Sequence, residues 1–72
     1  MLKNNFRRIC DTNRFTVTFI HIDTGINRGT LTNLYKNRIK RIELETLDRL
    51  LIFFNKYFKC TTSDIIEFIN NP

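Results

Sequence analysis

The organising segment of this chain is Gly25-Ile26-Asn27-Arg28-Gly29-Thr30-Leu31-Thr32-Asn33-Leu34-Tyr35-Lys36-Asn37. Gly25 follows an apolar run, where the end of a helix favours the left-handed backbone conformation that glycine adopts without strain. Asn27 then offers a side-chain oxygen to the free amides of a new helix. One side of that helix carries Ile26, Leu31 and Leu34, and the other side carries Arg28, Gly29, Thr32 and Asn33. A helix, a glycine turn and a second helix with a polar, cationic face predict a helix-turn-helix, whose second helix suits a DNA major groove.

The size and the cysteine content of the chain limit the classes of protein to which it can belong. Its 72 residues predict a single domain over residues 1–72. Cys10 and Cys60 allow at most one disulfide, and no apolar run is long enough for a signal peptide or a membrane span. We therefore expect a cytoplasmic protein with reduced thiols and no membrane contact.

The net charge of +5 is concentrated in one segment. Residues 27–42 carry five basic side chains and no acidic one, whereas residues 43–72 carry three basic side chains against five acidic ones. A basic strip confined to one segment is typical of a polyanion footprint. A solvated charged loop is the alternative, and the position of the strip directly after the predicted recognition helix favours the footprint.

Hydrophobic periodicity predicts five helices and no convincing strand, which is an all-α fold. The predicted helices cover residues 2–13, residues 17–24 after the N-cap Thr16, residues 27–36, residues 43–58, and a last segment from the capping sequence at Thr61 to about Ile69. Residues 37–42 are predicted to form a loop. Phe19 and Ile22 point away from the expected core, and they either form a contact surface or pack against the first or last helix.

Further residues then indicate a family. They are Thr16, Ile20, Gly25-Ile26-Asn27, Thr30-Leu31, Leu34, Lys40-Arg41-Ile42, Glu45-Thr46-Leu47 and Asp64-Ile65-Ile66-Glu67. In this order they resemble the lambda-repressor-like, Cro/C1-type helix-turn-helix proteins, particularly the short single-domain members, which include phage and prophage-like regulators. The resemblance implies a five-helix DNA-binding domain that binds operator DNA through its third helix, often as a homodimer on a palindrome.

The resemblance also assigns roles to individual positions. The base-facing positions are Asn27, Arg28, Gly29, Thr32 and Asn33, and the phosphate-contacting positions are Thr16, Lys36, Asn37, Arg38, Lys40 and Arg41. Four features depart from the family pattern. Val17 replaces a polar residue, His21 replaces alanine, and Gly29 replaces a side chain that can touch bases. Residues 56–59 resemble an extra helical turn.

Side-chain chemistry suggests how these positions would act. The guanidinium fork of Arg28 matches O6 and N7 of guanine, although a phosphate contact is equally consistent with the sequence. Asn33 could pair with adenine or remain a solvated amide. Lys36, Arg38, Lys40 and Arg41 would add affinity by releasing counterions.

Catalytic and metal-dependent functions find little support in the sequence. His21 is the only histidine, and we expect it to be a packing residue with a satisfied ring nitrogen. No nucleophile–base pairing, glycine-rich phosphate loop or four-ligand zinc pattern is evident, so we expect no enzyme, no metal and no cofactor.

The sequence therefore predicts a sequence-specific transcriptional regulator, in particular a repressor. The alternative is a protein-interaction module, an antirepressor or inhibitor built on the same fold, which Phe19, Ile22, Val17 and Gly29 favour. Two half-sites would require a homodimer, and the predicted dimer surface combines Phe53, Tyr57 and Phe68.

Overall fold

A computed structural model describes residues 2–39 and 41–68 of the chain. The elements in order are β1 (Leu2–Asn4), α1 (Phe6–Asn13), α2 (Val17–Thr24), α3 (Arg28–Tyr35), α4 (Leu44–Asn55), α5 (Thr62–Ile65) and β2 (Ile66–Phe68). The predicted five-helix class is confirmed. A two-stranded antiparallel sheet joins the two ends of this helical domain.

The sheet corrects the predicted limits of the first and fifth helices. Residues 2–4 are extended rather than helical, with Leu2 opposite Phe68 and Asn4 opposite Ile66. The fifth helix ends at Ile65 rather than near Ile69, because the chain turns extended to form this pairing. The backbone N–H of Asn5 also donates to the carbonyl of Ile65 at 2.8 Å. These long-range bonds satisfy backbone groups that a frayed helix end would leave to water.

The fourth helix ends at Asn55 instead of residue 58, and the side chain of Asn55 explains the stop. Its amide nitrogen donates to the carbonyls of Leu51 at 2.7 Å and Cys60 at 2.9 Å, and its oxygen accepts from the N–H of Cys60 at 3.2 Å. The side chain thereby closes the helix and binds the following turn. Residues 56–58 consequently form a turn instead of helix, and the predicted extra helical turn was wrong.

The core lies where α1 to α4 converge, and aromatic rings fill its centre. Phe6, Phe53 and Phe54 are almost fully buried, and Phe15 closes the cluster from the α1–α2 turn. The Phe15 ring centroid lies 5.1 Å from that of Phe53 and 5.0 Å from that of Tyr57. Tilted and edge-on rings at such distances are favourable beyond the area they bury.

This packing removes one residue from the predicted dimer surface. Phe53 is only 1% exposed, because Phe15 and Phe19 cover it, so its ring cannot meet a partner. Tyr57 is 51% exposed and can do so. The side chain of Phe68 lies outside the described part of the chain.

Candidate nucleic-acid interface

The turn between α2 and α3 is set by its backbone. Gly25 adopts the left-handed conformation with φ of 74°, and its N–H donates to the carbonyl of His21 at 2.9 Å. A β-carbon at this position would meet the Arg49 guanidinium at an ordinary 3.7 Å, so the requirement for glycine comes from φ and not from crowding. The predicted glycine turn is therefore present, and it places Ile26 in the core at 4% exposure.

Two side chains of α2 hold this turn from one side. The Nδ1 atom of His21 lies 2.6 Å from the carbonyl oxygen of Ile26, and since a carbonyl only accepts, the ring nitrogen must donate. The Thr24 hydroxyl donates to the carbonyl of Ile20 at 2.7 Å and accepts from the N–H of Ile26 at 3.2 Å. His21 thus uses its extra size to hold the turn, in agreement with the prediction of a packing residue with a satisfied ring nitrogen.

The N-terminus of α3 is capped by Asn27. Its side-chain oxygen accepts from the N–H groups of Gly29 at 2.8 Å and Thr30 at 3.3 Å, which satisfies two of the free amides of a helix start. A β-carbon at position 29 would come within 3.0 Å of that oxygen. Gly29 therefore leaves room for the cap, and the amide nitrogen of Asn27 is the part of its side chain that can still donate outward.

The outer face of α3 carries the predicted base-facing side chains. Arg28, Gly29 and Asn33 are exposed and Thr32 is half-buried. The opposite side of the helix is fixed in the core by Leu31 and Leu34, which are at most 1% exposed. Since the inner side is immobilised and the N-terminus is capped, α3 presents a rigid polar face to the solvent.

The basic strip continues directly from the C-terminal end of α3. Lys36, Asn37, Arg38 and Arg41 are exposed, and Lys40 lies outside the described residues. Asn37 adopts the left-handed conformation with φ of 56°, and the N–H of Arg38 donates to the carbonyl of Asn33 at 2.8 Å. In the described part of the chain, the three ion pairs all lie outside residues 27–42, so none of the basic side chains described in this strip pairs with an acidic one.

A family model of the Cro/C1-type helix-turn-helix DNA-binding domain matches residues 5–71. The chain belongs to this family. Comparison with curated proteins and with solved structures gives no significant match. The family match covers both helices of the motif, the basic strip and the core helix α4, so the predicted family is confirmed.

Membership of the Cro/C1-type family makes this chain a DNA-binding regulator in general terms. The family is a DNA-binding one rather than a catalytic one. Among the described residues, no three His, Cys, Asp or Glu side chains lie close enough together to hold a metal ion. Within the same residues, no helix has the length and apolar character to span a bilayer.

The two cysteines of the Cro/C1-type domain are buried, free thiols. Burial, reinforced by the charge of Asp11, raises the pKa of the Cys10 thiol to about 12. Burial and the charge of Asp64 also raise the pKa of Cys60. Since the thiolate is the reactive form, neither cysteine is activated at neutral pH, and both serve as small apolar residues of the core.

The start of α2 carries the remaining predicted phosphate-contacting residue of this Cro/C1-type domain. Thr16 is the N-cap, and its exposed hydroxyl oxygen accepts from the N–H of Phe19 at 3.0 Å. Its hydroxyl proton stays available to a phosphate oxygen. Val17, half-buried against the core, offers only methyl groups at the next position.

A polar cluster that was not predicted from the sequence lies at the other end of α3. The Tyr35 hydroxyl donates to Asp11 at 2.6 Å, and the Arg7 guanidinium lies 5.3 Å above the Tyr35 ring. The hydrogen bond to Asp11 is the main reason that the pKa of Tyr35 is raised. The i, i+4 spacing of Arg7 and Asp11 was visible in the sequence as an ordinary helix pair. Their contact with a residue on α3 was not, because it depends on how α1 and α3 pack.

Proposed function

We propose that this Cro/C1-type domain is a sequence-specific transcriptional repressor that binds the operator major groove through α3. The observation that carries the proposal is the exposed polar face of α3, which is capped at its start by Asn27 and continues into an acid-free basic strip. A rigid helix with exposed hydrogen-bonding side chains is what direct base readout requires. We place its action in the cytoplasm, by occupation of a site that polymerase must use.

The proposed base readout depends on a few side chains. Arg28, at the first position of α3, is proposed to donate hydrogen bonds from both fork nitrogens to O6 and N7 of a guanine. Asn33 is proposed to pair with N6 and N7 of an adenine. Thr32 can hydrogen-bond a base or touch a thymine methyl group. Asn27 contributes only its amide nitrogen, because its oxygen serves the cap. Gly29 lets the helix backbone approach the base edges.

The proposed phosphate contacts surround this face. They come from Thr16 at the start of α2 and from Lys36, Asn37, Arg38, Lys40 and Arg41 after α3. These contacts carry no sequence information, but they fix the orientation of α3 and release counterions. The proposal therefore separates two kinds of residue, one that sets specificity and one that sets salt-dependent affinity.

A homodimer on a palindromic operator is part of the proposal. One helix contacts only a few base pairs, and two half-sites spaced one helical turn apart multiply both affinity and specificity. No small-molecule cofactor enters this mechanism.

The deciding experiment is selection from a random duplex pool followed by sequencing of the enriched DNA. We expect an enriched palindrome, and we expect Arg28→Ala to lose about 1–3 kcal/mol of discrimination at one base pair of each half-site. Arg8→Ala is the matched control, because it removes the same charge from an exposed position on α1. Equal effects of the two substitutions, without loss of base preference, would contradict base readout by Arg28.

A second function, that of an antirepressor or inhibitor which binds another protein, is favoured by one observation. Phe19 and Ile22 are 45% and 75% exposed on α2, and apolar surface of this kind commonly marks a protein contact. Weak, salt-sensitive DNA binding without any enriched sequence would support this second function over the first.

A further inference from the structure

Exposed apolar side chains gather on one side of the domain. Among the described residues, five large apolar side chains are exposed, and four of them lie on α2, on the second half of α4 or in the turn that follows it. These four are Phe19 (45%), Ile22 (75%), Ile52 (60%) and Tyr57 (51%), and we call them, together with Asp23 and Lys56, the α2–α4 patch. The fifth, Leu44, is 83% exposed at the start of α4.

Buried Phe53 and one shallow cavity connect members of the α2–α4 patch. The rings of Phe19 and Tyr57 both pack on buried Phe53, with centroids at 5.8 and 5.3 Å from it. Ile22 follows Phe19 by one helical turn. Ile52 lines a shallow cavity of about 170 Å³ together with Asp23, one residue beyond Ile22.

An ion pair crosses this surface between the two helices. The Lys56 ammonium lies 2.9 Å from a carboxylate oxygen of Asp23, and both side chains remain partly exposed. The patch therefore carries one acid and one base in contact, beside apolar side chains and beside Arg49, which lines the same cavity and pairs with Glu45 on its own helix. The net charge of the patch is zero, in contrast to the basic strip.

We propose that the α2–α4 patch is the surface through which two copies of this chain form an isologous dimer. This inference deepens the proposed function and rests on it, because the proposed palindromic operator is what requires two copies. In an isologous contact each group meets the symmetry-related surface, so the surface must complement itself. Lys56 of one copy can then approach Asp23 of the other, which gives a ring of four alternating charges.

The charge distribution favours this face over the others. A contact between two copies through residues 27–42 would bring two acid-free basic strips together, and like charges in contact cost several kcal/mol. The α2–α4 patch avoids that repulsion. Leu44 offers a single apolar side chain with acidic Glu43 and Glu45 on either side of it.

The area of the patch matches what a dimer needs. At about 200 Å² for a whole large side chain, the four apolar members expose roughly 450 Å². An interface of standard size buries about 800 Å² on each partner, of which about 56–65% is apolar. The exposed apolar area is thus of the size that the apolar part of such an interface requires.

A dimer through this patch leaves the recognition helix free. None of the patch residues belongs to α3 or to the basic strip, and the outer face of α3 carries Arg28 and Asn33 on a different surface. The proposed dimer contact and the base-facing side chains therefore use different residues, as an operator-bound dimer requires.

Sedimentation velocity of the full chain over the micromolar range tests the proposal. We expect the wild type to be dimeric and Ile22→Asp to weaken the dimer at least about tenfold. Ile22 is mostly exposed, so its loss should leave the fold intact, which circular dichroism and thermal unfolding would check. Leu44→Asp is the matched control, since it places the same charge at an equally exposed apolar site outside the patch and should remain dimeric.

Charge reversal tests the two-fold pairing itself. Asp23→Lys leaves two bases in the patch and Lys56→Asp leaves two acids, so each variant alone should be monomeric. A mixture of the two variants should form a heterodimer, because opposite charges then meet across the contact although the pair within each chain stays broken. A fold defect caused by losing the internal ion pair could not be rescued by mixing.

Other outcomes would overturn the dimer through this patch without touching the proposed base readout by α3. A wild type that stays monomeric throughout the concentration range, or a Leu44→Asp variant that dissociates as readily as Ile22→Asp, removes the α2–α4 patch as the dimer surface. The duplex selection reports separately on α3, because an enriched sequence that depends on Arg28 stands whether or not the patch holds a second copy.

Discussion

At the scale of single residues, the start of α3 shows how one side chain limits its neighbour. The Asn27 oxygen lies where a β-carbon at position 29 would press on it at 3.0 Å. Within a helix, alanine is better than glycine by about 0.8–1 kcal/mol. The cap and the helix preference of position 29 therefore oppose each other.

A double-mutant cycle should measure this opposition. Asn27→Ala should destabilise the domain by about 0.5–2 kcal/mol, because two helix amides lose their acceptor. In that background, Gly29→Ala should restore about 0.5–1 kcal/mol, since no cap remains to be crowded. In the wild type the same substitution should gain clearly less. Urea unfolding of the four proteins would give the coupling, and strictly additive free energies would contradict the link between the two residues.

The contact between Tyr35 and Asp11 gives a second prediction at this scale. The carboxylate of Asp11 accepts the hydroxyl proton of Tyr35 and so raises the pKa of Tyr35 above its usual 10.0. Because the folded-state pKa is the higher one, the stabilisation is fully present below about pH 10 and is lost as the pH rises through the raised pKa.

Absorbance of tyrosinate in a Tyr57→Phe background, where Tyr35 is the only tyrosine, would follow this titration. Asp11→Asn should lower the midpoint, since it removes both the carboxylate acceptor and its charge. Asp48→Asn, on an exposed position of α4, is the control for the loss of one acid. A midpoint that does not change in Asp11→Asn would show that the contact does not hold the proton.

At the scale of elements, Asn4 joins the terminal sheet to the recognition helix. Its amide nitrogen donates to the carbonyl of Leu34 near the end of α3 at 2.7 Å, and its oxygen accepts from the N–H of Phe6 at 2.9 Å. One half-buried side chain thus bonds both to the first amide of α1 and to the C-terminal turn of α3.

We expect Asn4→Ala to lower the free energy of unfolding by about 1–3 kcal/mol, because it leaves a partly buried amide and carbonyl without their partner. Asn13→Ala should lower the free energy of unfolding by less, since Asn13 is exposed and its side chain bonds to Ile9 within the same helix. Urea unfolding compares the two variants. A loss for Asn13→Ala as large as that for Asn4→Ala would contradict the role of Asn4 as a link between elements.

Whether an element could be predicted from the sequence depends on whether the residues that limit it act locally. The limits of α2 and α3 depend on Thr16, Gly25 and Asn27, whose capping roles are local and therefore visible. The strands depend on pairing between residues more than sixty positions apart, and their apolar residues also fit a helical period. The end of α4 depends on Asn55, whose bonds to Cys60 exist only once the turn has formed.

The candidate interface was predictable for a similar reason. The face of α3 follows from helical spacing alone, so Arg28 and Asn33 could be placed without a structure. The burial of Phe53 could not, because it depends on Phe15 and Phe19, which approach from a turn and another helix. The apolar stripe of α4 by itself left Phe53 on the outside.

At the scale of the whole molecule, the domain separates its charge from its exposed apolar surface. The acid-free strip of residues 27–42 includes α3 and the loop after it, whereas the neutral α2–α4 patch lies on other elements. Because the charged strip and the proposed dimer surface are separate, the salt dependence of the DNA affinity reports how many copies bind one operator. A chain that uses Lys36, Arg38, Lys40 and Arg41 neutralises four phosphates, and the slope of log affinity against log salt is then about −3 to −4 for each copy.

The slope of log affinity against log salt should double when two copies bind one operator. The wild type on its selected operator should show a slope of about −7, because two copies bind, whereas Ile22→Asp on a single half-site should show about −3 to −4. Arg38→Ala/Arg41→Ala should reduce the wild-type slope by about half without changing the selected sequence, since phosphate contacts position the protein but do not specify bases. Arg8→Ala/Lys59→Ala removes the same charge from exposed positions outside the strip and should leave the slope nearly unchanged. If both double variants lower the slope equally, the affinity comes from the overall net charge, and the strip has no special place at the operator.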